Sequence, residues 1–258
     1  MMTYDKILRM AMEQSATDLS CQPEDFSSAE NQVVISQTSE NAHKYLELPF
    51  FCQLVTYGNN VVASVNENIA AFVKTYINKY GAVGCFETPA ILSLNEELMK
   101  YRHKVCFMAR YYLPVPELMV VQECPYQLKV MEKREFEKYY LPQFGNAICA
   151  KNSERDVIAV GAFEGSKLVG LAGASADCDS MWQIGVDVLP EYRRQGIASA
   201  ITSRLASEIM HAGKVPYYCA AWPNIKSARN AVKCGFRPAW VELTAKSIDF
   251  VNKMNGSE

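Results

Sequence analysis

Val186-Asp187-Val188-Leu189-Pro190-Glu191-Tyr192-Arg193-Arg194-Gln195-Gly196-Ile197-Ala198-Ser199 is the stretch that decides the fold. An apolar strand runs into a Pro-marked loop. A basic, Gly-containing turn follows, and a long helix begins at Gly196. Its apolar positions Ile197, Ile201, Leu205 and Ile209 form one stripe that buries against a sheet, and the stripe fixes where the helix N-terminus points. That end carries amides with no partner inside the helix and the positive pole of the helix dipole. It suits phosphate oxygens. Gly196 is expected to let a ligand approach the backbone where a Cβ would obstruct it. Arg193 and Arg194 add positive charge.

A second segment is Asn224-Ile225-Lys226-Ser227-Ala228-Arg229-Asn230-Ala231-Val232-Lys233-Cys234-Gly235-Phe236. Asn224 is a good N-cap, Gly235 suits the left-handed position after a helix, and Phe236 covers the helix end. Taken alone, both segments read as ordinary helix punctuation.

Around them the chain alternates strands and helices. In the first half, a helix is expected over Asp5–Gln14, a polar loop over Ser15–Asn31 and a short strand at Val33–Ile35. Phe50–Thr56 and Val61–Val65 read as strands about a Tyr57-Gly58-Asn59-Asn60 turn. Helices then start at Asn66 or Asn68, ending at Gly81, and at Thr88 or Pro89. A strand over Lys104–Tyr112 is stopped by Leu113-Pro114-Val115-Pro116, the best boundary in the chain. The expected division is an N-terminal α/β domain over 1–116 and a second domain over 117–258.

In the second half, Tyr126–Met131 is a strand and Glu135–Tyr140 a short helix. Val157–Phe163 and Leu168–Ala174 form a hairpin, and Trp182–Val188 is a third strand. The long helix from Gly196 ends at Gly213. Tyr217–Ala221, a helix holding Ser227–Lys233, and Arg237–Leu243 complete the order. This is a mixed α/β sheet, antiparallel at first and then parallel through a crossover on the long helix. The first half leaves open a degenerate copy of the second.

Composition excludes several classes. The 258 residues carry a formal charge of −2, 49% apolar and 21% charged residues, which is ordinary for a globular protein. Nothing suggests nucleic-acid binding or a membrane partner. Nine cysteines are scattered without C-x-x-C spacing, and His103 and Cys106 have no second ligand pair, so no metal is expected. The N-terminus lacks an apolar signal region, and the cysteines read as reduced thiols of a cytoplasmic protein.

With R-x-x-G-x-A from Arg193, and with N-x-x-S before a helix closing in Gly-Phe, the second half resembles the GNAT superfamily of N-acetyltransferases. Through Leu48-Pro49-Phe50, Tyr57-Gly58-Asn59-Asn60 and Tyr112-Leu113-Pro114, the first half is similar to bacterial members with an additional N-terminal domain. The resemblance implies a GNAT-like mixed sheet and acetyl-CoA as acyl donor. It also implies a cofactor-binding set of Val186, Asp187, Val188, Arg193, Arg194, Gln195, Gly196, Ile197, Ala198, Ser199, Asn224, Ser227 and Asn230. The implied reaction moves an acetyl group to a primary amine of a small molecule or aminoacyl-like acceptor by direct attack. A backbone N–H near Val186–Val188 would polarise the thioester carbonyl. The alternative is a non-catalytic acyl-CoA-binding or sensing module, and a homodimer is compatible with either.

The proton-transfer residues do not carry over. The position of the family's Glu holds Trp182, and that of its Tyr holds Ala231. Asp177, Asp179 and Asp187 remain as candidate bases and Tyr217 or Tyr218 as candidate acids, each with a bland structural alternative. Cys219 and Cys234 read as buried thiols, and the catalytic residues stay unassigned.

Overall fold

The computed structural model describes residues 2–256 and divides the chain into two compact units. Among the described residues, one comprises 11–111 with 239–256, the other 2–10 with 112–238. The units are interleaved in sequence, whereas the expected 1–116 and 117–258 are consecutive.

α1 (Tyr4–Leu19), of which Ala11–Leu19 belong to the first unit, runs five residues past the expected Gln14, because Ala16 and Leu19 are buried. Strands β1 (Gln32–Ile35), β2 (Cys52–Thr56) and β3 (Val62–Val65) follow. β2 and β3 form the expected antiparallel hairpin, and β1 lies parallel to β3. α2 (Ala70–Gly84) is broken at Gly81, the expected end, where φ 67° and ψ −174° are not helical, and a last short turn follows. α3 (Thr88–Met99) begins at the expected Thr88-Pro89. β4 (His103–Pro114) then runs into the second unit.

The second unit opens with β5 (Gln127–Glu132) and the short α4 (Lys133–Phe136). β6 (Asp156–Glu164), β7 (Lys167–Ser175) and β8 (Met181–Val188) continue an antiparallel run β5-β6-β7-β8. α5 (Ile197–His211) crosses over to β9 (Val215–Ala221), which pairs parallel to β8. That is the mixed sheet expected from the sequence. α6 (Ile225–Lys233) follows, capped by the Asn224 side chain, which accepts from the Ser227 N–H. β10 (Phe236–Ser247) returns to the first unit, where it pairs antiparallel with β2, and α7 (Ile248–Met254) ends the described chain.

The α5 stripe lies where its periodicity places it. Ile197, Ile201, Leu205 and Ile209 are buried against Val160, Val169, Ala172 and Ile184. Gly170 permits the close packing, since a Cβ there would meet Ile197 Cγ2 at 2.7 Å. The other unit has its own core, with Leu54, Val73, Ile77, Leu94 and Leu243.

Candidate functional site

The site begins where two strands part. β8 and β9 pair only over Met181↔Val215, Trp182↔Pro216 and Gln183↔Tyr217, although β8 runs to Val188 and β9 to Ala221. Along its other edge β8 stays paired with β7, through to Gly170↔Val188. The Leu189 N–H donates to the Val169 carbonyl at 3.0 Å, so odd-numbered residues of β8 bond towards β7. Alternation therefore turns the main-chain groups of Ile184, Val186 and Val188 into the gap. Two bonds agree with this: Val215 N–H to the Ser180 carbonyl at 3.0 Å and Arg193 Nε to the Val188 carbonyl at 3.1 Å.

The gap opens into a cleft of about 820 Å³ that reaches the N-terminus of α5. The first intrahelical bond there is from Ala200 N–H to the Gly196 carbonyl, at 3.1 Å. The amides of Ile197, Ala198 and Ser199 precede it and have no acceptor within the helix. Before them the turn holds two left-handed residues, Arg194 at φ 65° and Gly196 at φ 82°. A left-handed residue next to extended or helical ones curls successive amides into an anion-binding concavity.

Gly196 owes its place to this conformation. A Cβ would meet only the Glu123 carbonyl, at an ordinary 3.5 Å, so the strain lies in φ rather than in contact. The conformation is a second reason for glycine here, beside the expected room for a ligand.

The cleft gathers Val186, Asp187, Val188, Arg193, Arg194, Gly196, Ile197, Ala198, Ser199, Asn224, Ser227 and Asn230. Gln195 alone of the expected set does not line it; its Oε1 accepts from the Tyr126 hydroxyl at 2.6 Å. Lys226 and Lys233 add two cations to Arg193 and Arg194, and among the described residues Asp187 is the one carboxylate on the wall. Such a surface attracts a polyanion.

The candidate bases sort differently. Asp177 sits 3.5 Å from Arg155 and Asp179 sits 3.3 Å from Lys214, and neither lines the cleft. Asp187 lines it but is committed elsewhere. Oδ2 accepts from the Asn146 and Ala147 amides at 2.8 and 2.9 Å, and Oδ1 from Asn146 Nδ2 at 2.8 Å. Of the candidate acids, Tyr217 is wholly buried and its hydroxyl donates to Gln183 Oε1 at 3.3 Å. Tyr218 lines the cleft, and its oxygen accepts from Ser227 Oγ at 2.9 Å. Burial raises its phenol above the ordinary value, while hydrogen bonds from Ser227 and Asn230 work the other way. Ala231 is buried in the core.

Asn146 and Gln183 also line the cleft, and the sequence carried no signal for them, since each is a lone amide outside any motif. Among the described residues, no group of three or more His, Cys, Asp or Glu is placed to hold a metal ion. Among them, too, no helix is long and apolar enough to cross a membrane.

Residues 129–239 match the model of the GNAT acetyltransferase family. No curated protein matches the chain. Among solved structures it is similar to a GCN5-related N-acetyltransferase from Kribbella flavida, at 17% identity and a TM-score of 0.47 over 60% of this chain and 63% of that one. It is similar also to a GNAT-family protein from Novosphingobium aromaticivorans, at 17% identity and 0.44 over 56% and 66%. A Drosophila protein aligns over 95% of this chain and 90% of its own, at 11% identity and 0.48. The chain thus spans just under two thirds of the length of the first two.

Proposed function

Starting from the GNAT acetyltransferase domain of residues 129–239, we propose that this protein moves an acetyl group from acetyl-CoA to a primary amine. The observation that carries the reading is the parting of β8 from β9 beside the uncapped N-terminus of α5. The amides of Ile197, Ala198 and Ser199, with the cations around them, suit the diphosphate. The gap then suits the pantetheine arm, whose amides pair with the free strand edge. The residues present fit such a donor.

The amine nitrogen attacks the thioester carbonyl carbon, and the carbonyl oxygen gains negative charge. The Val186 N–H, turned into the gap, stabilises that oxygen; such a donor is worth about 3 kcal/mol. Collapse breaks the C–S bond. Tyr218 gives its proton to the leaving thiolate, because its oxygen already accepts from Ser227 and its own O–H is left to donate. The proton shed by the nitrogen passes to water, and Tyr218 is reprotonated from solvent. The products are an acetamide and the free thiol.

The single carboxylate on the wall is held by three donors, so the amine enters as its free base. Purified protein, acetyl-CoA and a panel of amines test the reading, by thiol release and by the mass of the acetylated product. Cofactor binding without product from any amine would favour a binding or sensing module instead.

A further inference from the structure

The face of β8 opposite α5 carries a built loop. A Cβ at Gly185 would lie 1.8 Å from the Asn146 carbonyl oxygen, and one at Gly173 would lie 2.2 Å from that of Ala147. Gly173 and Gly185 are register partners on neighbouring strands, so two glycines admit one loop. Ala147 and Ile148 anchor it by packing with Phe144 and Leu171. Asp187, two residues on from Gly185 and so on the same face, ties it down through the three bonds given above.

This arrangement decides which way the Asn146 amide points. A carboxylate only accepts, so the group facing Asp187 is the Asn146 NH₂. The oxygen Oδ1 is left over, and Asn146 lines the cleft. With its NH₂ on Asp187, Asn146 on the cleft wall has Oδ1 as its remaining side-chain group, beside Gly185 and one residue before the N–H assigned to the thioester oxygen. Lone acceptors of this kind suit an N–H donor and repel a carboxylate.

We propose that Asn146 Oδ1 binds the nitrogen of the acceptor amine, with Asp187 as the positioning residue that holds it. The pair favours acceptors that present a primary amine as the free base and disfavours those with a carboxylate adjoining it. This rests on the acetyltransferase reading, so the test separates the two. Acetyl-CoA binding is measured by titration calorimetry. Turnover is measured with glycinamide, ethanolamine, spermidine and glycine as acceptors.

For the best acceptor, Asn146→Ala is expected to raise KM about fivefold to tenfold, which is the loss of one hydrogen bond to an amine. The Kd for acetyl-CoA stays within twofold and kcat changes less than KM. Asp187→Asn, which sets an NH₂ against the Asn146 and Ala147 amides, shifts KM in the same direction. Glycinamide is used better than glycine. An unchanged KM in Asn146→Ala, an equal loss in acetyl-CoA affinity, or a preference for glycine overturns the proposal. So does a wild-type protein that binds acetyl-CoA and acetylates none of the four. A wild-type protein that does not bind acetyl-CoA refutes the acetyltransferase reading itself.

Discussion

Tyr218 is the residue on which the proton account turns. Its neighbours on β9 differ from it in direction: Tyr217 is wholly buried with its hydroxyl on Gln183, whereas Tyr218 meets the cleft and Ser227. The sequence named both and had no means to choose, because alternation along a strand gives two faces without saying which is which. Tyr218→Phe keeps the ring and removes the acid. Its kcat should fall about 100-fold, the lower end for general acid catalysis since a thiolate leaves readily, with acetyl-CoA affinity kept within about threefold. Steady-state rates and a binding titration check it. The pH profile follows from the same residues. An alkylamine titrates at about 10.4, so its free-base fraction grows about tenfold per unit across neutral pH. Tyr218, pushed above its ordinary value by burial, remains protonated over that range. For spermidine or ethanolamine, kcat/KM should therefore climb with unit slope from about pH 6.5 to 8.5, without a descending limb. A plateau near neutrality would show that a base in the protein takes the proton.

At the scale of elements, the turn that opens α5 was legible because it is local. A strand, a Pro, two arginines, a glycine and an amphipathic stripe lie in unbroken order, and each constrains backbone geometry within a few residues. The Asn146 loop was illegible for the opposite reason. Its seat consists of Gly173, Gly185 and Asp187 on two strands, and only the β7–β8 register brings them together. Gly196 lies between these cases, since its presence was legible and its left-handed φ was not. Because the constraint is φ 82° rather than contact, even the smallest side chain should disturb the turn. A left-handed L-residue costs about 1–2 kcal/mol. Gly196→Ala is expected to weaken acetyl-CoA binding about tenfold, as the turn relaxes and its amides swing away, with the melting temperature lowered by only a few degrees. Titration calorimetry and thermal melts measure both. Unaltered affinity in Gly196→Ala would mean that the amides of this turn do not hold the diphosphate.

For the whole molecule, the order of elements was readable and the partition into units was not. The stretch Arg237–Leu243 reads in sequence as the final strand, and in the structure that strand runs further, from Phe236 to Ser247. Its two ends nevertheless serve different cores: Phe236 packs with Ile201, Leu205 and Tyr218, while Leu243 and Ala245 pack with Leu54, Ala63 and Val65. β4 does likewise, with Tyr112 in one core and Val105 and Met108 against the other. Nothing in a strand's own pattern records which core its apolar residues will join, because the partners lie far away in sequence. A Pro-rich stretch such as Leu113–Pro116 marks a stop without saying that the chain returns. The division makes its own prediction. Leu243 is fully buried, and its β10 neighbours pair with β2, so Leu243→Ala should cost the 11–111 and 239–256 unit about 2–5 kcal/mol. The loss should appear in native-state hydrogen exchange as reduced protection of β2 and β3. Phe236→Ala, seven residues earlier on the same strand, should instead reduce protection in α5 and β9, at about 3–5 kcal/mol. If both variants lowered protection at the same sites, β10 would act as one structural piece, and the assignment of its two ends to separate cores would be wrong.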